Sequence, residues 1–439
     1  MIVTVIAFIV GVVLLVVGLA ASIALHEIGH LVPAKRFGVR VGQYMVGLGP
    51  TLWSRRIGET EYGVKALPVG GYISMAGMYP PSPRRGEAAA VDGKAGGGFF
   101  ATMVQDARAA NDETLADDDR TGTFYGLPVW KRIVIMLGGP TMNLLLAMLL
   151  FAVVFSGIGV QTATTTIAAV NECVLPAGST QTACAPGDPV SPAAAAGIQP
   201  GDEILSVDGT AVSSFEQASA IIQASPGRGI DVVVRRDGAE QTLRVTPMLA
   251  QRQVAGPDGT AVTAEVGFVG MTATTAYVRQ PLWDGPVAAL EQAGQVVGIM
   301  WQLPARVYQT AADLVTGAPR DPNGPLSVVG VGRLAGEAAA TDAPVLNRVA
   351  TILGLLGSLN LALFVFNLIP LLPLDGGHVV VALWDGLKRA WATLWRRPPP
   401  KPVDATRLVP VTFVVVIALI VMGGILILAD IVNPMKIFG

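Results

Sequence analysis

The sequence predicts an α-helical polytopic membrane protein that carries one small α/β domain outside the membrane. Four apolar stretches are long enough to span a bilayer. Only 14% of the 439 residues are charged, well below the roughly 25% of an ordinary soluble protein. The net charge of -2 gives no reason to expect a nucleic-acid partner. The four apolar stretches make the lipid bilayer the expected surrounding.

The four apolar stretches are expected to form helices that cross the membrane. They occupy residues 1–35, 128–160, 349–385 and 409–430. The first stretch has no basic residue before Lys35, whereas a signal peptide begins with positive charge. We therefore expect it to remain in the mature chain as a span.

Positive charge beside the spans predicts their orientation. Lys and Arg follow the first span, precede the second, and recur in the 386–408 loop between the third and fourth. Cytoplasmic loops carry such an excess of basic residues. We therefore expect residues 161–348 and both termini to lie outside the cytoplasm.

Two different segments separate the first and second spans. Residues 42–76 contain an alternation of apolar side chains over Tyr62–Tyr72, with Pro and Gly near its end, which predicts a β-hairpin. Residues 80–121 are rich in Pro, Gly, Ala and Asp, a composition that predicts a disordered cytoplasmic insert.

The outer segment contains a small domain over residues 161–248. Within Ser191–Gly209, a Pro-Gly-Asp turn and a Val-Asp-Gly turn are spaced as in the helix–turn–strand hairpin of PDZ domains, which this segment resembles. The pattern then predicts a helix at Phe215–Gln223 and strands at Ile230–Arg235 and Gln241–Val245. We therefore expect one extracytoplasmic α/β domain of PDZ type.

The rest of the outer segment, 249–348, is expected to be a connection with helices. Its pattern predicts a helix over 282–318 and an extended strand or loop over Pro325–Gly332. The two cysteines of the chain, Cys173 and Cys184, also lie in the outer segment. They could form a short-loop disulfide in an oxidising compartment, and two unrelated buried thiols are the alternative.

Two of the three histidines lie in the run His26-Glu27-Ile28-Gly29-His30. On a helix, positions four apart share a face, so both imidazoles can bind one metal ion. Zinc suits this ligand type, because it polarises a carbonyl and activates water near neutral pH. Glu27 is placed to take a proton from the attacking water as general acid/base.

The position of this motif inside an apolar span favours a functional site. With Lys35 at the cytoplasmic boundary, His30 and His26 lie about 7 and about 14 Å inside the membrane. Three ionisable groups at that depth are energetically expensive, and such groups usually belong to a functional site. A satisfied polar network within a helix bundle is the alternative.

The third ligand is expected from another polar interruption of an apolar span, Asn367–His378. Asp375 is the natural candidate, because two prolines and two glycines break the helix there and turn the carboxylate inward; an exposed helix end is the alternative. His378 is interpreted as a helix-end polar group or as a partner of a ligand. Asn367 and Asn143 could each hold an extended substrate backbone or form a helix–helix hydrogen bond.

These motifs together resemble the site-2 protease family of intramembrane metalloproteases. The similar branch contains a PDZ domain and includes actinobacterial, particularly mycobacterial, members and the enterobacterial sigma-E regulator. The resemblance covers nearly the full chain and rests on His26–His30, the Pro68–Tyr72 hairpin, Gly139–Asn143, the PDZ segment and Asn367–His378. One departure is that a single PDZ domain is visible, whereas the enterobacterial relative resembles a two-PDZ arrangement.

The resemblance implies a zinc site with His26, His30 and Asp375 as ligands and Glu27 as general base. It also implies that the hairpin re-enters the membrane and pairs with an extended substrate strand. The residues implied in substrate binding are Asn367, Pro68, Gly70, Gly71 and Tyr72.

The implied reaction is cleavage of the transmembrane segment of a single-pass membrane protein in regulated intramembrane proteolysis. The substrate would typically be an anti-sigma factor already trimmed outside by another protease. The implied location is the inner membrane of a bacterium, with the active site towards the cytoplasmic leaflet. The PDZ domain could bind a newly made C-terminus or exclude substrates with bulky outer domains.

Two other functions remain open from the residues alone. One is a membrane-anchored zinc protease that acts on soluble or loop substrates, in which Asp375 could be dispensable. The other is a metal-binding scaffold or transporter whose PDZ domain recruits partners, although no internal repeat typical of transporters is visible. Substitution of Glu27 distinguishes best between an enzyme and a scaffold, because a protease should keep zinc but lose turnover when Glu27 becomes Gln.

Overall fold

The computed structural model describes residues 2–78, 122–175, 183–255, 261–321, 323–398, 400, 403 and 408–435. The chain divides into two units: Met1–Ile158 with Pro281–Gly439 form the first, and Gly159–Gln280 forms the second. The disordered insert expected at 80–121 lies outside the described residues.

The helices and strands are named in chain order. The helices are α1 (Ile2–Arg36), α2 (Val129–Ala152), α3 (Pro192–Ala195), α4 (Phe215–Gln223), α5 (Asp284–Thr316), α6 (Val328–Ala340), α7 (Val345–Asn367), α8 (Asp375–Leu394) and α9 (Val409–Val432). The strands are β1 (Val41–Ile57), β2 (Thr60–Met75), β3 (Val160–Val170), β4 (Glu203–Val207), β5 (Thr210–Ala211), β6 (Ile230–Arg236), β7 (Ala239–Val245), β8 (Met248–Ala255), β9 (Ala261–Phe268) and β10 (Met271–Val278).

Four helices of the first unit are long and apolar enough to cross a membrane, within the part of the chain that is described. They are α1, α2 with the π-helical turn that extends it to Ile158, α7 and α9. Between 6% and 33% of the most apolar window of each helix is buried within the protein, so most of these side chains are available to lipid. The polytopic architecture expected from the sequence is confirmed.

The third span is shorter than expected. The sequence predicts one span over 349–385, whereas α7 ends at Asn367 and α8 begins at Asp375. Pro370 and Pro373 lie between these helices and lack the N–H that a continuous helix needs. The chain therefore leaves the helical conformation just before the predicted third ligand.

Two glycines allow this break to fold against the first turn of α8. A Cβ on Gly376 would lie 2.4 Å from the carbonyl oxygen of Ile369, and one on Gly377 would lie 2.5 Å from the backbone nitrogen of Leu372. A larger residue would push the break away from the start of α8, where Asp375 is held.

Helices α1 and α2 touch at a pair of glycines. A Cβ on Gly138 would lie 1.9 Å from the carbonyl oxygen of Gly29, and a Cβ on Gly29 would lie 2.3 Å from that of Gly138. Small residues at such a crossing let helix backbones approach within a membrane. Helix α2 therefore lies directly against the histidine-bearing part of α1.

The expected β-hairpin is formed by β1 and β2 in antiparallel pairing. Tyr62–Tyr72 is only part of its second strand, and the first strand is Val41–Ile57. The hairpin bends so that four segments lie side by side, in the order 71–74, 43–46, 61–64 and 53–56. The edge segment, 71–74, pairs only with 43–46 among the strands described.

Side-chain contacts fix the hairpin to α1. The Tyr44 hydroxyl donates to the carbonyl oxygen of Ala24 at 2.8 Å, and the Lys35 ammonium donates to the Tyr62 hydroxyl at 2.8 Å. Tyr44 also belongs to an apolar cluster that joins α1, the hairpin and α2. The position of the hairpin beside α1 is therefore well defined.

The second unit is an α/β domain. Its main sheet is antiparallel, with the order β10-β3-β4-β6-β7 and the short β5 beside β4, and β8 and β9 form a separate hairpin. Alternate side chains of β6 enter the core, where Ile230, Val232 and Val234 are at most 1% exposed. The helix expected at Phe215–Gln223 and the two strands that follow it are present.

The second unit is also longer than expected. The sequence predicts its end at 248, but β10 pairs with β3 in the same sheet, and the unit continues to Gln280. Pairing between the first and last strands of a domain leaves no local pattern in the sequence, so the boundary could not be read from alternation.

Two helices of the first unit follow the second unit along the chain. The helix predicted over 282–318 is confirmed as α5. The extended strand or loop predicted over Pro325–Gly332 is correct only for residues 325–327, because α6 begins at Val328 with the Ser327 hydroxyl accepting from the amide of Val329. The glycines of this segment obscured the helix signal in the sequence.

Asp202 carries a buried charge in the second unit. Its two oxygens accept from Arg236 at 2.7 Å, and Oδ2 also accepts from the backbone N–H of Gln199 at 2.8 Å. The hydrogen bonds from Arg236 hold the pKa of the Asp202 carboxyl below its usual range. A lowered folded-state pKa stabilises the domain above the unfolded-state pKa of about 3.9, and that contribution is lost as the pH falls through the folded-state pKa.

We predict that Asp202→Asn lowers the free energy of unfolding of the second unit by about 2 kcal/mol near neutral pH, because the charged hydrogen bonds to Arg236 are lost. The difference from wild type should shrink below about pH 4. Pulse proteolysis of the full chain across a urea series, repeated at several pH values, measures this free energy of unfolding for wild type and variant. The matched control is Asp208→Asn, since Asp208 pairs with the exposed Arg228. Equal stability of the two variants would contradict the prediction.

Candidate metal centre

Helix α1 places two histidine rings on one face. His26 and His30 are about one turn apart, and their Nε2 atoms lie 3.3 Å from each other. His30 is buried, with 4% of its surface exposed, and Glu27 is buried on the same helix. The unbroken helix thus brings two nitrogen donors to one point inside the protein.

The first residue of α8 brings a carboxylate to that point. Oδ2 of Asp375 lies 3.4 Å from Nε2 of His26 and 3.4 Å from Nε2 of His30. This oxygen is buried and has no hydrogen-bond partner among the described residues. We call these three atoms the donor triangle: His26 Nε2, His30 Nε2 and Asp375 Oδ2.

The donor triangle has the size of one face of a tetrahedral zinc site. Its sides measure 3.3, 3.4 and 3.4 Å. Ligand atoms about 2.0–2.1 Å from a tetrahedral zinc ion are about 3.3–3.4 Å apart. Two imidazoles and a carboxylate are ligands that zinc takes, and three protein ligands leave a fourth position for water or substrate. The residues therefore fit a catalytic zinc ion.

The backbone of α2 fixes one of the two rings. The carbonyl oxygen of Ile135 lies 2.7 Å from Nδ1 of His30. A carbonyl oxygen can only accept, so Nδ1 carries the proton and Nε2 keeps its lone pair for a metal. This contact could not be predicted from the sequence, because any residue at position 135 presents the same carbonyl group.

Gly139 of α2 allows this close approach. A Cβ at that position would lie 2.2 Å from Nε2 of His30 and 2.8 Å from Cε1 of His26. Gly139 was predicted only as part of a family resemblance, without a role. The run Gly138-Gly139-Pro140 inside an apolar span is the signal that could have identified it, since helix interiors otherwise disfavour these residues.

The edge segment of the hairpin reaches α1 at Glu27. A Cβ on Gly71 would lie 3.1 Å from Cγ of Glu27 and 3.0 Å from Cγ2 of Ile23. The neighbouring Tyr72 hydroxyl donates to Oε1 of Gln43 on β1 at 3.1 Å. The structure therefore brings Gly71 beside Glu27, whereas the hydroxyl of Tyr72 is held by the hairpin itself.

The remaining residues singled out in the sequence lie on these elements. Pro68 and Gly70 belong to β2, and Gly70 has a φ of 82°. Asn367 ends α7, just before the break, and the half-buried His378 lies in α8 outside the donor triangle. Asn143 of α2 is buried, and its amide contacts Nδ1 of His26 at 3.2 Å.

A buried asparagine near the start of the metal-binding motif was not singled out in the sequence. Asn360 of α7 is fully buried, and its Nδ2 donates to the hydroxyl of Ser22 at 2.9 Å and to the carbonyl oxygen of Leu356 at 2.8 Å. The first of these bonds joins α7 to α1. It lies one turn before His26 on α1.

The two cysteines lie in the second unit. Cys173 and Cys184 are joined by a disulfide, with their Cα atoms 6.0 Å apart. Neither cysteine belongs to the donor triangle.

Comparison with known sequences assigns the chain to a family. The sequence profile of peptidase family M50 matches residues 14–394, a range that contains the donor triangle and Glu27. The chain belongs to peptidase family M50, the site-2 protease family. It is therefore a zinc metalloprotease, and the expected zinc cofactor is confirmed.

Similar M50 proteins cover almost the whole chain. Zinc metalloprotease Rip1 of Mycobacterium tuberculosis strain H37Rv is 32% identical over 443 residues, which cover 98% of this chain and 99% of that protein. Rip1 of Mycolicibacterium smegmatis is 31% identical over 98% of this chain and 99% of its own length. Metalloprotease MmpA of Caulobacter vibrioides is 29% identical over 88% of each protein. The mycobacterial resemblance predicted from the sequence is confirmed.

We predict that Gly139→Ala removes bound zinc, because its Cβ would occupy the space of a ligand atom of His30. Zinc content per chain, measured by mass spectrometry after purification in detergent, should fall from about one to near zero. Gly423→Ala in α9 is the matched control, since a Cβ there meets nothing within 4 Å. Retention of zinc by Gly139→Ala would show that the rings do not hold the metal in this arrangement.

Proposed function

We propose that the chain is an intramembrane zinc endopeptidase that cuts the transmembrane segments of single-pass membrane proteins. In this proposal His26, His30 and Asp375 hold the zinc ion and Glu27 is the general base. The observation that carries the proposal is that two corners of the donor triangle, His26 and His30, lie within an apolar helix of membrane-spanning length. At a rise of about 1.5 Å per residue, His26 lies about 15 Å from the end of α1 at Arg36.

The chemistry follows from the donors and from the burial of Glu27. A zinc ion in this site supplies a Lewis acid that polarises the scissile carbonyl and makes water nucleophilic near neutral pH. Glu27 is 7% exposed, so its carboxylate is shielded from bulk solvent. Its proposed role is to take a proton from the attacking water and pass it to the leaving amine. The carbonyl of Ile135 keeps the His30 ring oriented during that transfer.

The edge segment 71–74 supports binding of the substrate as an added strand. One side of the segment pairs with 43–46, and no described strand pairs with the other side. An extended peptide can pair there through its backbone. Gly71 has no side chain to obstruct this approach, and it lies beside Glu27. The further residues proposed to hold the unwound substrate are Pro68, Gly70, Tyr72 and Asn367.

We also propose how the chain is arranged in the membrane. The hairpin would re-enter the membrane, and the active site would lie towards the cytoplasmic leaflet of a bacterial inner membrane. The second unit would be the PDZ domain, placed outside the cytoplasm. Two observations support this orientation: the basic residues of the 386–408 loop, and the Cys173–Cys184 disulfide, a bond typical of oxidising compartments.

The proposed substrates are anti-sigma factors already trimmed outside by another protease. A cut inside the membrane would then free a cytoplasmic fragment, as in regulated intramembrane proteolysis. The PDZ domain would act on the trimmed substrate in one of two ways, by binding its new C-terminus or by excluding substrates with bulky outer domains.

We predict that Glu27→Gln stops cleavage but keeps zinc, whereas Asp375→Ala loses both. Glutamine has the size of glutamate but cannot take a proton, and removal of Asp375 leaves only two protein ligands. The assay is cleavage of a single-pass substrate in proteoliposomes, with zinc content measured in parallel. Glu291→Gln, an exposed residue of α5, is the matched control.

Each alternative function has its own signature in this assay. Cleavage by Glu27→Gln at the wild-type rate would refute the role of Glu27 as general base and favour a metal-binding scaffold or transporter. Cutting of soluble or loop peptides, but never of the span, would favour a membrane-anchored protease.

We predict that Gly71→Ala slows cleavage of the span by about tenfold or more, because its Cβ displaces Glu27 and obstructs the edge segment. Zinc content should stay at the wild-type level, since none of the three atoms nearest to a Cβ on Gly71 belongs to the donor triangle. Gly42→Ala on β1 is the matched control, because the atoms nearest to its Cβ lie 3.9 Å away. An unchanged cleavage rate for Gly71→Ala would show that the substrate strand does not bind along the edge segment 71–74.

A further inference from the structure

Helix α2 contacts both histidines of the proposed zinc site, in each case on the ring nitrogen that faces away from the donor triangle. Nδ1 of His30 lies 2.7 Å from the carbonyl oxygen of Ile135, and Nδ1 of His26 lies 3.2 Å from Nδ2 of Asn143. Ile135 and Asn143 are eight residues apart and so share a face of α2. One helix therefore supplies the outer contacts of both rings.

These outer contacts decide which ring nitrogen is free to bind a metal. A neutral imidazole carries one proton, and it can offer Nε2 to zinc only when that proton is on Nδ1. The protonated Nδ1 then needs an acceptor. For His30 the acceptor is the Ile135 carbonyl, which cannot act as a donor. For His26 the contact is an amide, which can act as either.

The amide of Asn143 has its oxygen available for this role. Asn143 is 1% exposed, and its Oδ1 is buried without a hydrogen-bond partner in the described part of the chain. With Nδ2 towards His26, the amide donates to Nδ1 and the ring proton must reside on Nε2. A half-turn of the amide brings Oδ1 to the same place with almost no change in shape, and Oδ1 then accepts from Nδ1–H.

We propose that Asn143 is a positioning residue that holds His26 in the tautomer with a free Nε2, by accepting from Nδ1–H through Oδ1. This inference rests on the proposed function, because it takes His26, His30 and Asp375 as the zinc ligands. It makes α2 the outer shell of the site, with a fixed acceptor for one ring and an orientable acceptor for the other. Such partners of metal-bound histidines contribute about 10- to 100-fold to metal affinity.

Two substitutions at this position separate an acceptor role from a packing role. Asn143→Leu keeps the bulk but removes the acceptor, and it should weaken zinc binding by about 10- to 100-fold. Asn143→Asp keeps the shape and can only accept, so it should bind zinc at least as tightly as wild type. A purely structural asparagine would give the opposite order, since an aspartate without a proton donor would be a buried unpaired charge.

The full chain in detergent would be titrated with zinc in competition with a chromophoric chelator. The visible absorption spectrum after cobalt substitution would report the ligand geometry in parallel. Asn360→Leu is the matched control, because Asn360 is equally buried and joins two helices but contacts neither ring. The expected result is weak binding and an altered spectrum for Asn143→Leu alone, with Asn143→Asp and Asn360→Leu close to wild type.

Three outcomes would overturn the inference. They are wild-type affinity in Asn143→Leu, equal loss in Asn143→Leu and Asn143→Asp, and equal loss in Asn143→Leu and Asn360→Leu. Asp375→Ala in the same titration separates this failure from that of the proposed function. If Asp375→Ala binds zinc as wild type does, the proposed ligand set is wrong; if it loses zinc while Asn143→Leu does not, only the role of Asn143 fails.

Discussion

The contact between Gly29 of α1 and Gly138 of α2 is the constraint on which the metal centre depends. The two backbones approach so closely that a Cβ on Gly138 would lie 1.9 Å from the carbonyl oxygen of Gly29. Lipid tails provide no hydrophobic force between helices, so this contact rests on close packing of small residues. Because of it, Gly139 fits against both histidine rings, and the Ile135 carbonyl and the Asn143 amide reach their Nδ1 atoms.

The proposed third ligand, Asp375, reaches the same point through a break between two helices. Asp375 starts α8 after a helix break, and the glycines at 376 and 377 let that break fold back on the helix. Further along α8, the buried Asp385 accepts from Arg132 of α2 at 3.0 Å. Breaking one partner of such a buried ion pair is strongly destabilising, because it leaves an uncompensated charge. Helix α2 is thus the common support of α1 and α8.

The proposed ligands could be identified in the sequence because ionisable groups stand out in an apolar span. His26, Glu27 and His30 were identified by helical spacing and depth, and Asp375 by the prolines and glycines around it. Their convergence on one metal site was expected, but the 3.3–3.4 Å spacing of the donor atoms could not be predicted, since it depends on tertiary contacts between distant parts of the chain. The carbonyl of Ile135 also escaped prediction, because backbone groups leave no trace in a sequence.

How much of the fold could be predicted also depended on whether the determining signals are local in the sequence or come from distant contacts. The four spans were predicted from length and apolarity, and the hairpin from alternation and turn residues, all of which are local signals. The end of the second unit was missed, because it depends on pairing between the distant strands β3 and β10. The helix α6 was missed because its glycines argue against a helix, although Gly330 there packs on the carboxylate of Asp430. Tertiary contacts of this kind override local propensity.

The most direct test of the central claim is the zinc K-edge X-ray absorption spectrum of the full chain loaded with one zinc ion, for wild type and Asp375→Ala. For wild type we expect nitrogen and oxygen ligands at about 2.0–2.1 Å, with outer-shell scattering from two imidazole rings. In Asp375→Ala the zinc should be lost, or its ligand shell should change. A sulfur ligand at about 2.3 Å, the absence of imidazole scattering, or an identical spectrum in Asp375→Ala would contradict a zinc site built from His26, His30 and Asp375.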